Sequence, residues 1–142
     1  MIYTANTKKA MKLCFEAHKK QFDKSGIPYV FHPIHLAEQM TDEVTTIVAL
    51  LHDVIEDTDY TLEDLTKMGF DKPITDALQL LTHEKGVPYM DYVAKIKQNP
   101  IAKAVKLADL KHNSDTTRLD NIDDKALERK EKYLEAIAFL NE

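Results

Sequence analysis

Four side chains that can bind a metal or transfer a proton lie within six positions of this 142-residue chain. They are His52, Asp53, Glu56 and Asp57, and they come directly after the apolar run over residues 47–51. A histidine and an aspartate at the end of a buried helix are costly unless their polar groups are paired. A divalent metal would supply the partner, so this stretch predicts a metal site if the chain provides further ligands.

Two further polar residues stand beside apolar helical sequence in the same way. His32 directly precedes Pro33, which suits the first turn of a helix, and Asp109 ends the apolar segment over residues 101–108. With His52 and Asp53 they give two imidazoles and two carboxylates, which suit Mn²⁺, Fe²⁺, Zn²⁺ or Mg²⁺, and hard oxygen ligands favour Mn²⁺ or Mg²⁺. The chain has a single cysteine, which excludes a zinc site of the finger type.

Helical periodicity predicts the elements that position these residues. Apolar residues recur at i, i+3, i+4 and i+7 in successive segments, for example at Ala10, Leu13, Cys14 and Ala17. Thr4 or Thr7 is expected to cap the first helix, and Thr41 or Asp42 the helix that leads to His52. The pattern predicts an all-α fold, with residues 1–142 forming one domain of about eight helices. If the helix continues past Asp53, Glu56 and Asp57 lie one turn beyond the first two ligands.

Composition bounds the partners of the protein. The chain is 44% apolar and 30% charged, which is typical of a soluble globular protein, and its net charge of −5 argues against binding long nucleic acid. Composition allows both binding of a small anionic ligand and assembly into a homo-oligomer. No apolar run is long enough for a membrane span, and the N-terminus lacks a secretory signal. Because Cys14 can form no internal disulfide, we expect a cytoplasmic protein.

Three segments, in order along the chain, resemble a known family. They read KSGIPYVFHP at residues 24–33, LHDVIEDT at residues 51–58 and KLADLKHN at residues 106–113. His32, His52-Asp53 and Asp109 match the H…HD…D signature of the HD-domain metal phosphohydrolases. The three segments are more specifically similar to the hydrolase domain of the RelA/SpoT family. No synthetase or regulatory domain fits in this length, so the chain resembles a stand-alone small alarmone hydrolase.

The resemblance implies an HD-domain helical bundle and an enzyme of the stringent response. The implied activity is Mn²⁺-dependent hydrolysis of guanosine 3′,5′-bis(diphosphate), ppGpp, or of pppGpp, in which a water activated by the metal removes the 3′-pyrophosphate. The resemblance assigns metal binding to His32, His52, Asp53 and Asp109, catalysis to Glu56 and Asp57, and contact with the nucleotide substrate to Lys24, Ser25, Asn113 and Thr116.

Two departures from the family pattern leave the substrate open. Asp23 stands where the family usually has an arginine, and Ile27 replaces a glutamate in the same loop. Loss of the arginine removes a planar cation that stacks on a purine. The alternative is therefore an HD-domain phosphohydrolase that acts on a different nucleotide or phosphate ester. A third hypothesis, a non-catalytic nucleotide-sensing module, predicts a broken ligand set or loss of Glu56 and Asp57, and the chain retains all of them.

Overall fold

Helices form nearly all of the regular structure of this chain. The computed structural model describes residues 1–142 and contains nine α-helices, a short 3-10 helix over Thr116–Arg118 and no β-sheet, which confirms the all-α prediction. None of the helices combines the length and the apolarity needed to cross a membrane. The helices are α1 (Ala5–His18), α2 (Phe31–Glu38), α3 (Glu43–Leu51), α4 (Val54–Asp57), α5 (Leu62–Lys67), α6 (Lys72–Leu81), α7 (Tyr89–Lys97), α8 (Pro100–Asn113) and α9 (Asp124–Leu140).

Short polar side chains fix where the helices next to the site begin. The hydroxyl of Thr4 accepts a hydrogen bond from the backbone N–H of Thr7 at 3.1 Å, before α1. The carboxylate of Asp42 accepts one from the N–H of Thr45 at 2.8 Å, before α3. Such caps satisfy N–H groups that have no partner within the helix. Of the alternatives that the sequence allowed, the structure selects Thr4 for α1 and Asp42 for α3.

Helix α3 lies at the centre of the bundle. Every residue from Thr45 to His52 is buried, and α3 packs against α1, α2, α6 and α8. A helix surrounded by other helices needs no polar face, which explains the uninterrupted apolar run over residues 47–51. Helix α9 packs on α7 and α8 at one edge of the bundle. The central position of α3 carries His52 into the interior of the protein.

The chain leaves the helical conformation directly after His52. Helix α3 ends at Leu51, and Asp53 has φ −107° and ψ 1°, which lies outside the α region. The separate single turn α4 follows, and the N–H of Asp57 donates to the carbonyl of Asp53 at 3.0 Å. The continuous helix considered from the sequence is therefore not formed. The break turns the side chain of Asp53 towards Tyr29, whose hydroxyl donates to its carboxylate.

Candidate metal centre and adjoining cavities

Two histidines and one aspartate come together in the core from three different helices. His32 lies in the first turn of α2, His52 at the end of α3 and Asp109 in α8, and all three residues are buried. Their potential ligand atoms lie within 4.8 Å of one another. Nε2 of His32 is 2.9 Å from Oδ1 of Asp109, and Nε2 of His52 is 3.5 Å from the same oxygen. The two imidazoles therefore converge on a single carboxylate oxygen.

The hydrogen bonds of His52 leave one of its nitrogens available to a cation. Its Nδ1 lies 2.7 Å from the carbonyl oxygen of Ala49, and a carbonyl only accepts, so Nδ1 carries the proton. In the neutral ring Nε2 then has a free lone pair. This nitrogen is buried without a hydrogen-bond partner, although it lies 3.0 Å from Oδ2 of Asp53. An orphaned buried nitrogen facing two carboxylates fits a divalent metal.

His32 is oriented in a similar way by a residue that the sequence did not single out. Nδ1 of His32 and Nδ1 of His112 are 2.7 Å apart, so one of them must carry the proton between them. The two rings are stacked, with an interplanar angle of 6°. When His32 donates, its Nε2 is left free beside Asp109 and can bind a metal. Burial, followed by the Arg118 charge, lowers the pKa of His112 to about 4, which favours its neutral, accepting form.

The electrostatics of the cluster favour positive charge at its centre. Burial by itself lowers the pKa of His52, but Asp53 and Asp109 outweigh burial and raise the pKa well above its ordinary value. Burial raises the pKa of Asp109, but the Lys106 charge, with the adjoining imidazoles of His32 and His52, holds it well below its usual range. The carboxylates therefore stay charged and attract either a proton or a cation to the space between the imidazoles.

Asp53 borders this triad. Its Oδ2 lies 3.0 Å from Nε2 of His52 and accepts a hydrogen bond from the Tyr29 hydroxyl, and its side chain is 18% exposed. Burial raises the pKa of Asp53, but the neighbouring His52 outweighs burial and lowers it. The structure thus brings three of the four expected ligands into one tight group, with the fourth at its solvent-facing edge.

Lys106 and Asn113 hold Asp109 from the other side. Nζ of Lys106 is 3.0 Å from Oδ2 of Asp109, and the Asn113 amide donates to Oδ1 at 2.9 Å. Burial alone lowers the pKa of Lys106, but the Asp109 charge outweighs it and raises this pKa above its ordinary value. The expected role of Asn113 was contact with substrate, and the structure shows that its amide also positions a predicted ligand. The contact between Lys106 and Asp109 could have been predicted from their i, i+3 spacing on one helix.

Four carboxylates line a cavity of about 330 Å³ beside the cluster, which we call the carboxylate cavity. The carboxylates belong to Asp53, Glu56, Asp57 and Asp109, so the predicted catalytic pair and two predicted ligands share one space. Oε1 of Glu56 accepts a hydrogen bond from the backbone N–H of His83 at 2.7 Å, which fixes its orientation. Burial, then the charges of Asp53 and Glu56, raise the pKa of Asp57 to about 6. A carboxyl group with that pKa can exchange a proton near neutral pH.

The four residues expected to contact substrate line a second cavity, of about 310 Å³, which we call the arginine cavity. Sequence reasoning missed two cations in its wall, Arg118 from the 3-10 helix and Arg129 from α9. Residues common to both walls show that the two cavities adjoin. The predicted residues are Lys24, Ser25, Asn113 and Thr116, and the residues shared with the carboxylate cavity are Tyr29, Asn113 and Tyr133.

Asp23 organises the loop that borders the arginine cavity. Its Oδ1 accepts hydrogen bonds from the N–H groups of Ser25 and Ile27, at 2.9 and 3.0 Å. Its Oδ2 lies 3.9 Å from a guanidinium nitrogen of Arg118. Ile27, the other residue that departs from the family pattern, is 49% exposed at the surface of this loop. The aspartate that replaces the family's arginine is thus used to fold the loop, and a different arginine provides a cation in the same cavity.

The fold and the site define an all-α protein with a buried His–Asp cluster. No protein-family model matches the chain. It is 37% identical, over 70% of its length, to a guanosine-3′,5′-bis(diphosphate) 3′-pyrophosphohydrolase of Mus musculus, and the match spans 63% of that protein. It is 32% identical, over 87% of its length, to an enzyme of the same name from Aquifex aeolicus, of which it spans 18%.

The structure agrees with these sequence matches. A solved structure of a metazoan SpoT orthologue, described as hydrolysing ppGpp, matches the fold with a TM-score of 0.78 and 23% sequence identity. That match covers 99% of this chain and 87% of the other. The resemblance indicated by the three motifs is therefore confirmed: the chain is similar in sequence to ppGpp 3′-pyrophosphohydrolases and shares the fold of a SpoT orthologue.

Proposed function

We propose that this chain is a metal-dependent hydrolase that removes the 3′-pyrophosphate from ppGpp-type nucleotides, with residues 1–142 acting as one domain. The observation that carries the proposal is the buried group of His32, His52 and Asp109, whose imidazole nitrogens face one carboxylate beside the carboxylate cavity. The activities of the named relatives support it, although the chain spans less than two thirds of the length of the curated relatives it matches.

His32, His52, Asp53 and Asp109 would hold the metal, and their mixed nitrogen and oxygen atoms favour Mn²⁺. When bound, a divalent cation of this kind lowers the pKa of water and offsets charge on phosphoryl oxygens. In the reaction, a water oxygen bonds to the phosphorus next to the ribose and the bond from that phosphorus to O3′ breaks. O3′ keeps the electron pair and takes up a proton, which leaves a free 3′-hydroxyl and inorganic pyrophosphate.

The protein's own residues would position and deprotonate the water and hold the nucleotide. Glu56 and Asp57 line the carboxylate cavity, where one can orient the water and the other can accept its proton. Lys24, Ser25, Asn113 and Thr116 would contact substrate from the arginine cavity. Lys106 and Asn113 would keep Asp109 in place for the metal. Because a chain with a single cysteine, Cys14, can form no internal disulfide, we also propose that the protein is cytoplasmic.

A second candidate is hydrolysis of a different nucleotide 3′-pyrophosphate. It is favoured by Asp23, whose carboxylate borders the arginine cavity and whose contact with Arg118 changes the charge that a base would meet there. Carboxylate and guanidinium together present both a hydrogen-bond acceptor and donors, so the base that they prefer is not fixed by charge alone.

A substrate panel tests both candidates. The protein is incubated with Mn²⁺ and, separately, ppGpp, pppGpp, their adenosine counterparts, nucleoside monophosphates and a simple phosphodiester, and the products are separated by ion-exchange chromatography. We expect inorganic pyrophosphate and a nucleotide with a free 3′-hydroxyl, with no product from the His52→Ala variant. Faster turnover of the adenosine compounds would favour the second candidate. Turnover of the diester alone would contradict both.

A further inference from the structure

One cation in the wall of the carboxylate cavity lacks a carboxylate partner. Lys106 is neutralised by Asp109 at 3.0 Å. Lys132, which reaches the cavity from α9, has no carboxylate oxygen within 4.0 Å, and its ammonium lies over the ring of Tyr89, 4.4 Å from the centroid. An anionic substrate entering among four carboxylates meets repulsion, and an unpaired ammonium would offset part of it.

The ring beneath Lys132 carries an unused hydroxyl. Oη of Tyr89 is buried and has no hydrogen-bond partner. The neighbouring Tyr92, whose ring centroid is 5.8 Å away, differs because its hydroxyl donates to the carbonyl of Leu81 at 2.7 Å. A buried hydroxyl without a partner costs on the order of 1–3 kcal/mol, which an incoming oxygen acceptor would recover. Tyr89 thus offers a donor beside the unpaired ammonium.

A continuous row of contacts joins this corner to the metal cluster. Lys106 pairs with Asp109 and lies 5.1 Å from the ring centroid of Tyr92, and the Tyr92 ring packs on Tyr89, over which Lys132 sits. A group held at the cluster therefore has, along the same wall, a second place for negatively charged oxygens. That place supplies one ammonium and one hydroxyl, a suitable donor set for a single phosphoryl group.

We propose that Lys132 and Tyr89 bind the terminal phosphoryl group of the 3′-pyrophosphate and make the site selective for a diphosphate over a single phosphate. This inference rests on the proposed function, because it assumes that the phosphorus next to the ribose lies at the cluster. Nζ of Lys132 supplies positive charge, and the Tyr89 hydroxyl donates a hydrogen bond to a phosphoryl oxygen. A substrate with one phosphate leaves this corner unused.

The test compares Lys132→Met with Lys125→Met as a matched control. Lys125 is an exposed lysine two turns earlier on α9 and lies in neither cavity wall. The kcat/KM of each variant is measured with Mn²⁺ on ppGpp and on the analogue with a single 3′-phosphate. We expect Lys132→Met to lose about tenfold or more on ppGpp, as for a charge-assisted hydrogen bond, and to change less than about twofold on the analogue. Lys125→Met should match the parent protein on both, and Lys132→Arg should regain part of the loss.

A binding measurement separates this inference from the proposed function. Titration calorimetry with inorganic pyrophosphate and with inorganic phosphate, in the presence of Mn²⁺, should show about tenfold weaker pyrophosphate binding by Lys132→Met and by Tyr89→Phe. Phosphate binding should be unchanged. Equal losses on both nucleotides, or unchanged pyrophosphate affinity, would overturn the assignment. If the parent protein hydrolyses neither nucleotide, the proposed function fails, and the pyrophosphate titration still decides whether Lys132 and Tyr89 form a diphosphate site.

Discussion

Replacement of Lys106 by methionine should expose how strongly the cluster depends on balanced charge. The Lys106–Asp109 contact is 3.0 Å long and its side chains are only 12% and 8% exposed, so methionine leaves a buried carboxylate without its ammonium. Breaking one side of a buried pair costs about 3–5 kcal/mol. We expect a loss in unfolding free energy of about 3 kcal/mol, the lower end of this range, because His32 and Asn113 still contact Asp109 at 2.9 Å. For a chain of this size that lowers Tm by about 9 °C.

The assay is thermal unfolding of chelator-treated protein, with Lys103→Met as the control. Lys103 lies one turn earlier on α8, is half-buried and forms no ion pair, so its replacement should change stability by less than about 0.5 kcal/mol. Added Mn²⁺ should restore part of the Lys106→Met loss, since the cation then balances Asp109. Equal Tm values for the two variants, or a loss that Mn²⁺ does not reduce, would refute the reasoning.

Three further predictions concern single residues. Asp53→Ala should remove Mn²⁺ binding and turnover, because its carboxylate lies 3.0 Å from the free nitrogen of His52, and metal analysis after dialysis against Mn²⁺ would show the loss. Glu56→Gln should keep the metal, since an amide oxygen can still accept from the N–H of His83, but should lose about a hundredfold in kcat; loss of metal would instead make Glu56 a ligand. Cys14 is 1% exposed, and burial, followed by the Asp53 charge, raises its pKa to about 12. Iodoacetamide should therefore label Cys14 only after denaturation, and rapid labelling of native protein would contradict its placement.

The group of His32, His52 and Asp109 could be predicted from local sequence. His52 directly follows α3, and His32 and Asp109 lie within α2 and α8. The apolar residues of these helices must enter the core, so polar residues on the same faces enter with them. Once several such residues are buried in a domain of this size, they need a shared partner, and convergence on one cluster follows. The all-α fold was predictable for the same reason, because apolar spacing near 3.6 residues recurs through the chain.

The residues that orient this group and the neighbouring loop could not be predicted from local sequence. His112 lies 80 residues from His32 in sequence, and Arg118 lies 95 residues from the aspartate it faces, Asp23. Such pairs depend on how α2, α8 and the loop between α1 and α2 pack, which local periodicity does not determine. The separate turn α4 was also not predictable, because the apolar pattern continues into Val54 and Ile55 while the backbone turns at Asp53.

Release of inorganic pyrophosphate from ppGpp, measured while chelator-treated protein is titrated with Mn²⁺, tests the central claim most directly. The account predicts no release from the metal-free protein and a rate that rises with Mn²⁺ to saturation at one ion bound per chain. His52→Ala should stay inactive over the same range, because its free nitrogen is a proposed ligand. Release that persists without any divalent metal, or its absence at every Mn²⁺ concentration, would contradict the assignment of this cluster as a hydrolytic metal centre.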